Sequence, residues 1–468
     1  MSKLVGSLRS AMEMAGLENG MCISFHHHLR NGDYVLNMVL EEAEKMGIRD
    51  LRVEASSIFD VHSPLIGHIR NGLVRSIGTN YMGAKVGRAI SEGLMDEPVI
   101  FRTHGGRPNN IENGKIKIDI AFIAAPAADC EGNANGIYGK SACGSMGYAV
   151  SDAKFAKKTV IITDHLVEYP LSPASIEETD VDYVVVVDEI GDAKGIVSGT
   201  TQITRDPVGL KIAQTAAEVI RHSGYLENGF SFQTGAGGAS LAVTKYLRPI
   251  MKAKGVQGSF GLGGITGYMV DMLNEGYFKK LMDVQCFDLR AVASLRENPN
   301  HIDVSASRYA SPGVRTACVN HLDTVILGAT EVDLDFNVNV HTDSNGLIMG
   351  GSGGHSDTAA GAKLSIIVAP LYRARLPIVV EKVNCISTPG STVDVLVTQR
   401  GIAVNPRRAE LRERLEKAKL PVFDISELKD MAEKITGVPA AIEKGEKTVA
   451  KVEYRTGEMI DEIKCVNA

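Results

Sequence analysis

Three glycine clusters in the second half of the chain have the make-up of ligand loops. They are Gln233-Thr234-Gly235-Ala236-Gly237-Gly238, Gly258-Ser259-Phe260-Gly261-Leu262-Gly263-Gly264 and Gly350-Gly351-Ser352-Gly353-Gly354-His355-Ser356-Asp357. Glycine between a strand and a helix lets backbone N–H groups approach a ligand and point at it, which suits a phosphate, a carboxylate or a transient oxyanion. One such cluster is explained equally by a tight turn and by a ligand; three in one half point to a ligand site. The common nucleotide motifs fail on spacing. The third glycine of GxGxxG is replaced by Ser240, Thr266 and Ser356, and the Walker pattern ending at Gly139-Lys140-Ser141 has Ala134 where glycine is required.

The first half supplies cations. Arg102-Thr103-His104-Gly105-Gly106-Arg107 sets two arginines and a histidine around a Gly-Gly turn. Guanidinium forks match carboxylates bidentately, so the segment suits a substrate with several carboxylates, or else a solvated basic loop. In His26-His27-His28, neighbours on a strand point to opposite faces, so the three cannot reach one ion. A polar lining for carboxylates, with His26 and His28 on one side, and plain structural hydrogen bonding are the readings left; no metal is expected. Glu331, Asp333 and Asp335, like Asp129 and Glu131, follow buried strands, where acids commonly cap the next loop. Ser352, Ser356 and Cys143 show neither triad spacing nor a nucleophile elbow.

These residues need a scaffold, and the chain carries one twice. Leu17-Glu18-Asn19-Gly20 before Ile23-Ser24-Phe25 is echoed by Leu226-Glu227-Asn228-Gly229 before Phe230-Ser231-Phe232. Thr79-Asn80-Tyr81-Met82 with Glu92-Gly93 is echoed by Thr266-Gly267-Tyr268-Met269 with Glu275-Gly276. Gly132-Asn133-Ala134-Asn135 pairs with Phe336-Asn337-Val338-Asn339, and Asn135-Gly136 with Asn345-Gly346. Ala153-Lys154 before Val160-Ile161-Ile162 pairs with Ala362-Lys363 before Ser365-Ile366-Ile367. The shared order indicates a duplication. Each half opens with an amphipathic helix, the second started by Asp206 as N-cap and Pro207 at the first helical position.

Apolar segments of strand length (Val160–Ile162, Tyr183–Val187, Thr324–Leu327, Ser365–Ala369, Ile378–Val380) alternate with helical stretches. The expected fold is α/β: two duplicated domains, each with a mainly parallel sheet covered by helices. The expected domains are 1–205 and 206–468, with the boundary in the stretch from Gly191 to Thr204. A charged surface helix is expected over Arg407–Lys419. A C-terminal hairpin over Thr448–Val466, turning at Thr456-Gly457, is assigned to the second domain.

Composition narrows the function classes. The 468 residues are 44% hydrophobic and 23% charged, long enough for two cores without disulfide or metal staples. A net charge of -6 argues against nucleic acid, while a local basic pocket for an anion remains compatible. Seven scattered cysteines with no CxxC pair fit a reducing compartment. Met1 to Ala15 lacks the apolar core of a signal peptide, and no run approaches the ~18–20 apolar residues of a membrane span, so a cytoplasmic protein is expected.

Thr330-Glu331-Val332-Asp333-Leu334, Asn337-Val338-Asn339 and Gly351 to Asp357 resemble the C-terminal signature of the family I CoA-transferase fold, and Gln233 to Gly238 resembles its other glycine loop. A more specific likeness, over nearly the whole chain, is to the citrate lyase alpha-subunit family. It rests on Phe25-His26-His27-His28, His104-Gly105-Gly106-Arg107, Tyr309-Ala310-Ser311-Pro312, Ile326-Leu327-Gly328-Ala329-Thr330-Glu331 and Gly350 to Ala362.

The resemblance implies an enzyme that moves a carrier thiol from acetate to citrate. The co-substrate would be a CoA thioester or an acyl carrier subunit (gamma) bearing a phosphoribosyl-dephospho-CoA arm. A separate beta subunit would cleave the citryl-carrier, within a complex in which this chain is a homo-oligomer. Many CoA-transferases use a glutamate nucleophile in the loop that here reads Gly261-Leu262-Gly263-Gly264, so the resemblance implies direct transfer through a mixed anhydride. On this reading Gly237, Gly238, Gly353 and Gly354 hold the oxyanion. Arg102, His104, Arg107, His26 and His28 hold the acceptor's carboxylates, and Gly235, Ser352 and Asp357 belong to the carrier or CoA site, with Asp357 pinning its loop. The alternatives are an acyl-CoA hydrolase or a CoA-transferase for another acid, and a non-catalytic module binding a CoA ester or sugar phosphate. Hydrolysis without an acceptor acid would mark the first; no transfer even with carrier and partner subunits supplied would mark the second.

Overall fold

Seven strands in each half pair into a parallel sheet, and the two sheets have the same strand order. In this computed structural model, which describes residues 2–197 and 201–466, the first half contributes β1 (Cys22–Phe25), β2 (Leu51–Ala55), β3 (Val74–Thr79), β4 (Val99–Phe101), β5 (Ile120–Ala125), β6 (Lys158–Thr163) and β7 (Tyr183–Val186). The second contributes β8 (Ser231–Thr234), β9 (Gly258–Ile265), β10 (Phe278–Cys286), β11 (His301–Asp303), β12 (Thr324–Gly328), β13 (Leu364–Val368) and β14 (Val395–Val397). The spatial orders are β7-β6-β5-β1-β2-β3-β4 and β14-β13-β12-β8-β9-β10-β11. Every residue of β5 and β13 is buried, as expected of parallel strands covered on both faces.

The duplication extends to individual hydrogen bonds. The Asn19 side chain accepts from Arg49 N–H at 2.8 Å, and Asn228 from Gln257 N–H at 2.9 Å. Gly20 and Gly229, at φ 77° and 90°, make the same left-handed turn into β1 and β8. Asp119 receives Cys22 N–H and Lys157 Nζ just as Asp323 receives Ser231 N–H and Lys363 Nζ. Asp129 and Asn133 are bonded as Asp333 and Asn337 are.

These bonds correct part of the sequence alignment. Lys363 is the counterpart of Lys157, not Lys154. Thr79-Asn80-Tyr81-Met82 follows β3, but Thr266-Gly267-Tyr268-Met269 follows β9, the counterpart of β2, so that match is displaced by one strand–helix unit. Asn345-Gly346 lies in a separate turn closed by Asp343, beyond Asn339.

The helices needed below are α1 (Gly106–Glu112), α2 (Val150–Phe155), α3 (Pro207–Ser223), α4 (Gly238–Lys254) and α5 (His355–Gly361). α3 starts as read from the sequence: Asp206 accepts from Gly209 N–H at 3.0 Å, and Pro207 stands in its first turn. The charged surface helix forms over Ala409–Lys417, with Leu411 and Leu415 buried. Of the Gly191–Thr204 stretch, residues 198–200 lie outside the described residues.

Two expectations change. The Gly258–Gly264 cluster is not a loop but lies within β9, where side chains at Gly261, Gly263 and Gly264 would collide with Met269, Gln233 and Phe287. The C-terminal hairpin forms, as β15 (Lys444–Glu453) and β16 (Met459–Val466), but β15 pairs with β4 of the first sheet. It covers an edge whose backbone donors and acceptors would otherwise stay open. No described helix is long and apolar enough to cross a membrane.

Candidate active site

The two halves meet where chain leaves the C-terminal ends of their strands, the position at which open α/β sheets hold ligands. Thr103, after β4, forms a β-bridge with Gly353, and His104 N–H donates to Gly353 O at 2.8 Å. Gly353 N–H donates to Asn80 O at 3.1 Å, and Met82 N–H to Gly350 O at 3.0 Å. From β10, Gln285 Nε2 donates to His27 O at 2.9 Å.

A stack of rings lines this joint. His27 lies 4.5 Å from Tyr148 and 5.6 Å from His104, centroid to centroid, and His104 lies 4.4 Å from Tyr148. Phe59 packs on Tyr81 at 5.1 Å. Arg30 reaches into the same group, its guanidinium 5.1 Å from the ring centres of both Phe59 and Phe287, one ring from each half. Its backbone holds φ 54°, a left-handed conformation costly for a residue with a side chain. Tyr309 receives a hydrogen bond from Gln233 Nε2 at 2.8 Å and stands against Gly354, where a Cβ would meet its hydroxyl. Tyr81, Phe287, Gly353 and Gly354 are only partly buried, so the joint opens to solvent beside them.

The residues singled out from the sequence separate here. His104, Gly353 and Gly354 come together at the joint. Arg102 does not aim outward: its Nη1 donates to both carboxylate oxygens of Glu54, at 2.9 and 3.1 Å, and its Nε lies 3.6 Å from Glu453. Arg107 is 2% exposed, grips Asp152 of α2 at 2.6 and 2.7 Å, and donates to Glu54 O at 3.0 Å. Both guanidiniums hold carboxylates, but the carboxylates are the protein's own.

The alternation expected of His26-His27-His28 holds, with the opposite face toward the joint. His26 and His28 stack on each other at 4.1 Å, their Nδ1 atoms 3.0 Å apart, and His28 Nε2 bonds to Ala124 O; it is His27 that joins the ring stack. Ser352 bonds to Ser356 at 2.8 Å. Asp357, placed from the sequence at the carrier or CoA site, is wholly buried at the start of α5. It accepts from Thr103 Oγ1 and Gly105 N–H, each at 2.9 Å, and so pins the first half's histidine loop.

The glycine amides also divide. Gly235 N–H is spent on Ile326 O at 2.7 Å, and Gly353 N–H on Asn80 O. Gly354 caps α5, while Gly237 and Gly238 open α4, positions whose amides have no acceptor within the helix. Among the described residues those three amides donate to no other group. Both turns abut β12: Gly235 bonds beside its end, and the His355 ring reaches Gly328 O at 2.8 Å. Gly238 also accepts from Thr204 N–H at 3.0 Å.

Burial sets the charges. Desolvation holds His26 and His27 well below the usual imidazole range and lowers His28. It pushes His104 down to about 3, helped by the nearby Arg107 and Arg30 charges. These rings are therefore neutral at neutral pH and act as hydrogen-bonding and stacking surfaces, not as cations. Arg30 is the guanidinium beside them. No group of three metal-ligating side chains occurs among the described residues.

Sequence reasoning passed over His27, Arg30, Tyr81, Tyr148 and Tyr309. Signals were available in the Leu29-Arg30-Asn31-Gly32 segment directly after the histidines and in Tyr309-Ala310-Ser311-Pro312, one of the segments that carry the family likeness; Tyr148 left no local signature.

The family model described as the citrate lyase alpha subunit matches residues 1–466. A citrate lyase alpha chain from Klebsiella pneumoniae is 52% identical over 464 residues, 99% of this chain and 91% of that one. The one from Escherichia coli K12 is 49% identical over 459 residues, 98% and 90%. Among solved structures, an alpha subunit of citrate lyase from Streptococcus mutans in complex with citrate is similar at a TM-score of 0.98 and 52% identity, covering 100% of this chain and 92% of that one. A Pseudomonas malonate decarboxylase hetero-tetramer in complex with malonate contains a chain sharing the fold, at a TM-score of 0.71 and 15% identity, covering 93% and 86%. Matched across nearly its whole length by the family model and by relatives at 52% and 49% identity, the chain belongs to the citrate lyase alpha-subunit family.

Proposed function

We propose that this chain, a CoA-transferase-type enzyme subunit, transfers an acyl-carrier or CoA thiol from an acetyl thioester to citrate, releasing acetate. The observation that carries the reading is its likeness to the citrate-bound Streptococcus mutans subunit across the whole chain. A citrate carboxylate attacks the thioester carbonyl, the C–S bond breaks, and the thiolate leaves behind a mixed citryl–acetyl anhydride. The thiolate then attacks the citryl carbonyl and acetate departs, so no water or metal enters the balance. The amides of Gly354, Gly237 and Gly238, which donate to no other group among the described residues, are the candidate donors to the oxyanion. Arg30, whose guanidinium lies over the Phe59 and Phe287 rings at the joint, takes the role of gripping the acceptor, and the neutral His27 and His104 orient it. The beta (citryl-carrier lyase) and gamma (acyl carrier) partners and a homo-oligomeric complex belong to the same reading, as does the cytoplasm, which suits seven free cysteines.

Arg30→Ala is expected to raise the citrate KM about 10- to 100-fold, the loss of one charge-assisted hydrogen bond, with Arg30→Lys in between. Unchanged citrate saturation in steady-state transfer assays would remove Arg30 from the acceptor site. Hydroxylamine trapping during turnover is expected to leave every glutamate unmodified. Glu331, the glutamate within the family signature, already receives Asn339 Nδ2 at 3.0 Å, Asn384 N–H at 2.9 Å and Asn384 Nδ2 at 2.8 Å. A hydroxamate on any glutamate would overturn the direct route.

A further inference from the structure

We infer that the C-terminal hairpin is a clasp for the active joint, and that Arg455 at its turn is a positioning residue that holds the His104 loop and the Gly353-Gly354 turn together through Asp357. The inference rests on the proposed site only for its kinetic consequence. Asp357, fully buried at the start of α5, ties the second half to Thr103 and Gly105 of the first. Arg455 reaches in from the hairpin, its Nε 3.4 Å from Asp357 Oδ1 and its Nη2 2.9 Å from Ala310 O, the residue after Tyr309. One guanidinium thus touches the carboxylate that fixes the histidine loop and the carbonyl beside the tyrosine that stands on Gly354.

The fit is close. A Cβ on Gly105 would collide with Ala310 O and approach Asp357 Oδ1 to 2.7 Å, and one on Gly106 would come within 3.3 Å of Arg455 O. Two residues earlier, Glu453 receives Asn110 and faces Arg102, so the hairpin engages the 102–110 segment at both ends. Further along, Asp461 accepts from Ile386 N–H at 2.6 Å, anchoring the hairpin to the second half. A strand pair needed only to cover the edge of β4 would require none of these contacts.

The charged and titratable groups facing Asp357 are Arg455 and Tyr454 from the hairpin, Tyr309 from the second half and Tyr148 from the first. Burial raises the Asp357 carboxyl to about 6 against the pull of Arg455. Loss of that cation moves its titration upward.

The test uses the full chain and three variants, Arg455→Ala, Arg455→Lys and Asp357→Asn. For Arg455→Ala, amide hydrogen exchange is expected to rise about 10- to 100-fold in residues 102–107 and 352–357 while β1, β5 and β12 keep their protection, the loss of a charged hydrogen bond confined to the joint. Transfer is expected to lose kcat more than citrate KM, with the acid limb of kcat moved to higher pH. Added guanidinium should restore part of the rate in Arg455→Ala and none in Asp357→Asn. Lysine should rescue partly, which also covers an alanine variant that fails to fold. Exchange that is unchanged, or that rises evenly throughout the chain, overturns the clasp. If exchange opens locally in Arg455→Ala but the unaltered protein transfers nothing to citrate, the clasp stands and the citrate reading falls.

Discussion

Arg107→Ala is expected to destabilise the protein by about 3–5 kcal/mol, the usual result of removing one partner from a buried ion pair. The side chain is 2% exposed, and its fork closes on Asp152, which is wholly buried. Truncation strands that carboxylate without water or a counter-charge and also removes the bond to Glu54 O that ties α1 to β2. A stability of 5–15 kcal/mol is typical of a domain, so the change consumes a large share of it. Arg107→Lys should recover only part, because an ammonium cannot make two parallel bonds to one carboxylate. The double variant Arg107→Ala/Asp152→Ala should be more stable than Arg107→Ala alone, since no uncompensated charge is left. Urea midpoints for the three variants test this, and citrate KM, measured where each is still folded, should move less than twofold. A variant with an unchanged midpoint and a tenfold higher citrate KM would return Arg107 to the substrate site.

Arg107 also marks the limit of what a sequence can say. A guanidinium meets a citrate carboxylate and an aspartate carboxylate with the same geometry, and Asp152 lies on another helix that only tertiary packing brings near. The histidines fail by one step of phase. Alternation along an extended strand correctly set His27 apart from its neighbours, but which face meets the joint depends on how β1 sits between β5 and β2. The duplication was legible because turn chemistry is local: Asn19-Gly20 and Asn228-Gly229 need the same residue types to make the same turn. The Gly258–Gly264 cluster misled for the converse reason. Its glycines serve the bulk of Phe287, Gln233 and Met269, which are distant in sequence, and so lie inside a strand. The hairpin's pattern was local and correctly read, whereas its choice of the first sheet's edge was not encoded in its own residues.

Acid should unfold the protein steeply. His104 and His341 are held by burial at about 3, and His355 at about 4, against 6.5 for an exposed imidazole. Below 6.5 the unfolded chain takes up these protons and the folded chain does not, so stability falls as pH falls until the folded values are reached. Each ring contributes up to about 1.4 kcal/mol per pH unit, about 4 for the three. Asp357 works the other way: raised to about 6 when folded, it binds its proton before the unfolded chain does and returns up to about 1.4 kcal/mol per unit between about 6 and 4. The histidines win, and His26, His27 and His28, all lowered by burial, add to them. Net losses near 3 kcal/mol per unit from the first four groups come to about 5–7 kcal/mol by pH 5 to 4, the lower part of the 5–15 kcal/mol typical of a domain, with the raised Asp303 and Asp394 carboxyls offsetting some of it. Thermal unfolding followed by circular dichroism should therefore show Tm nearly constant from pH 8 to 7 and falling sharply below 6. His341 packs edge-on against Phe101 and bonds to Ser387, beneath the glycine turn and outside the ring stack. His341→Gln should lower stability at pH 7.5 yet flatten the acid slope by about 1.4 kcal/mol per unit, because one proton fewer is then taken up on unfolding. A Tm that stays level from pH 7 to 5 would mean that these rings are protonated in the fold, and with that the neutral histidine wall assigned to the acceptor site would be lost.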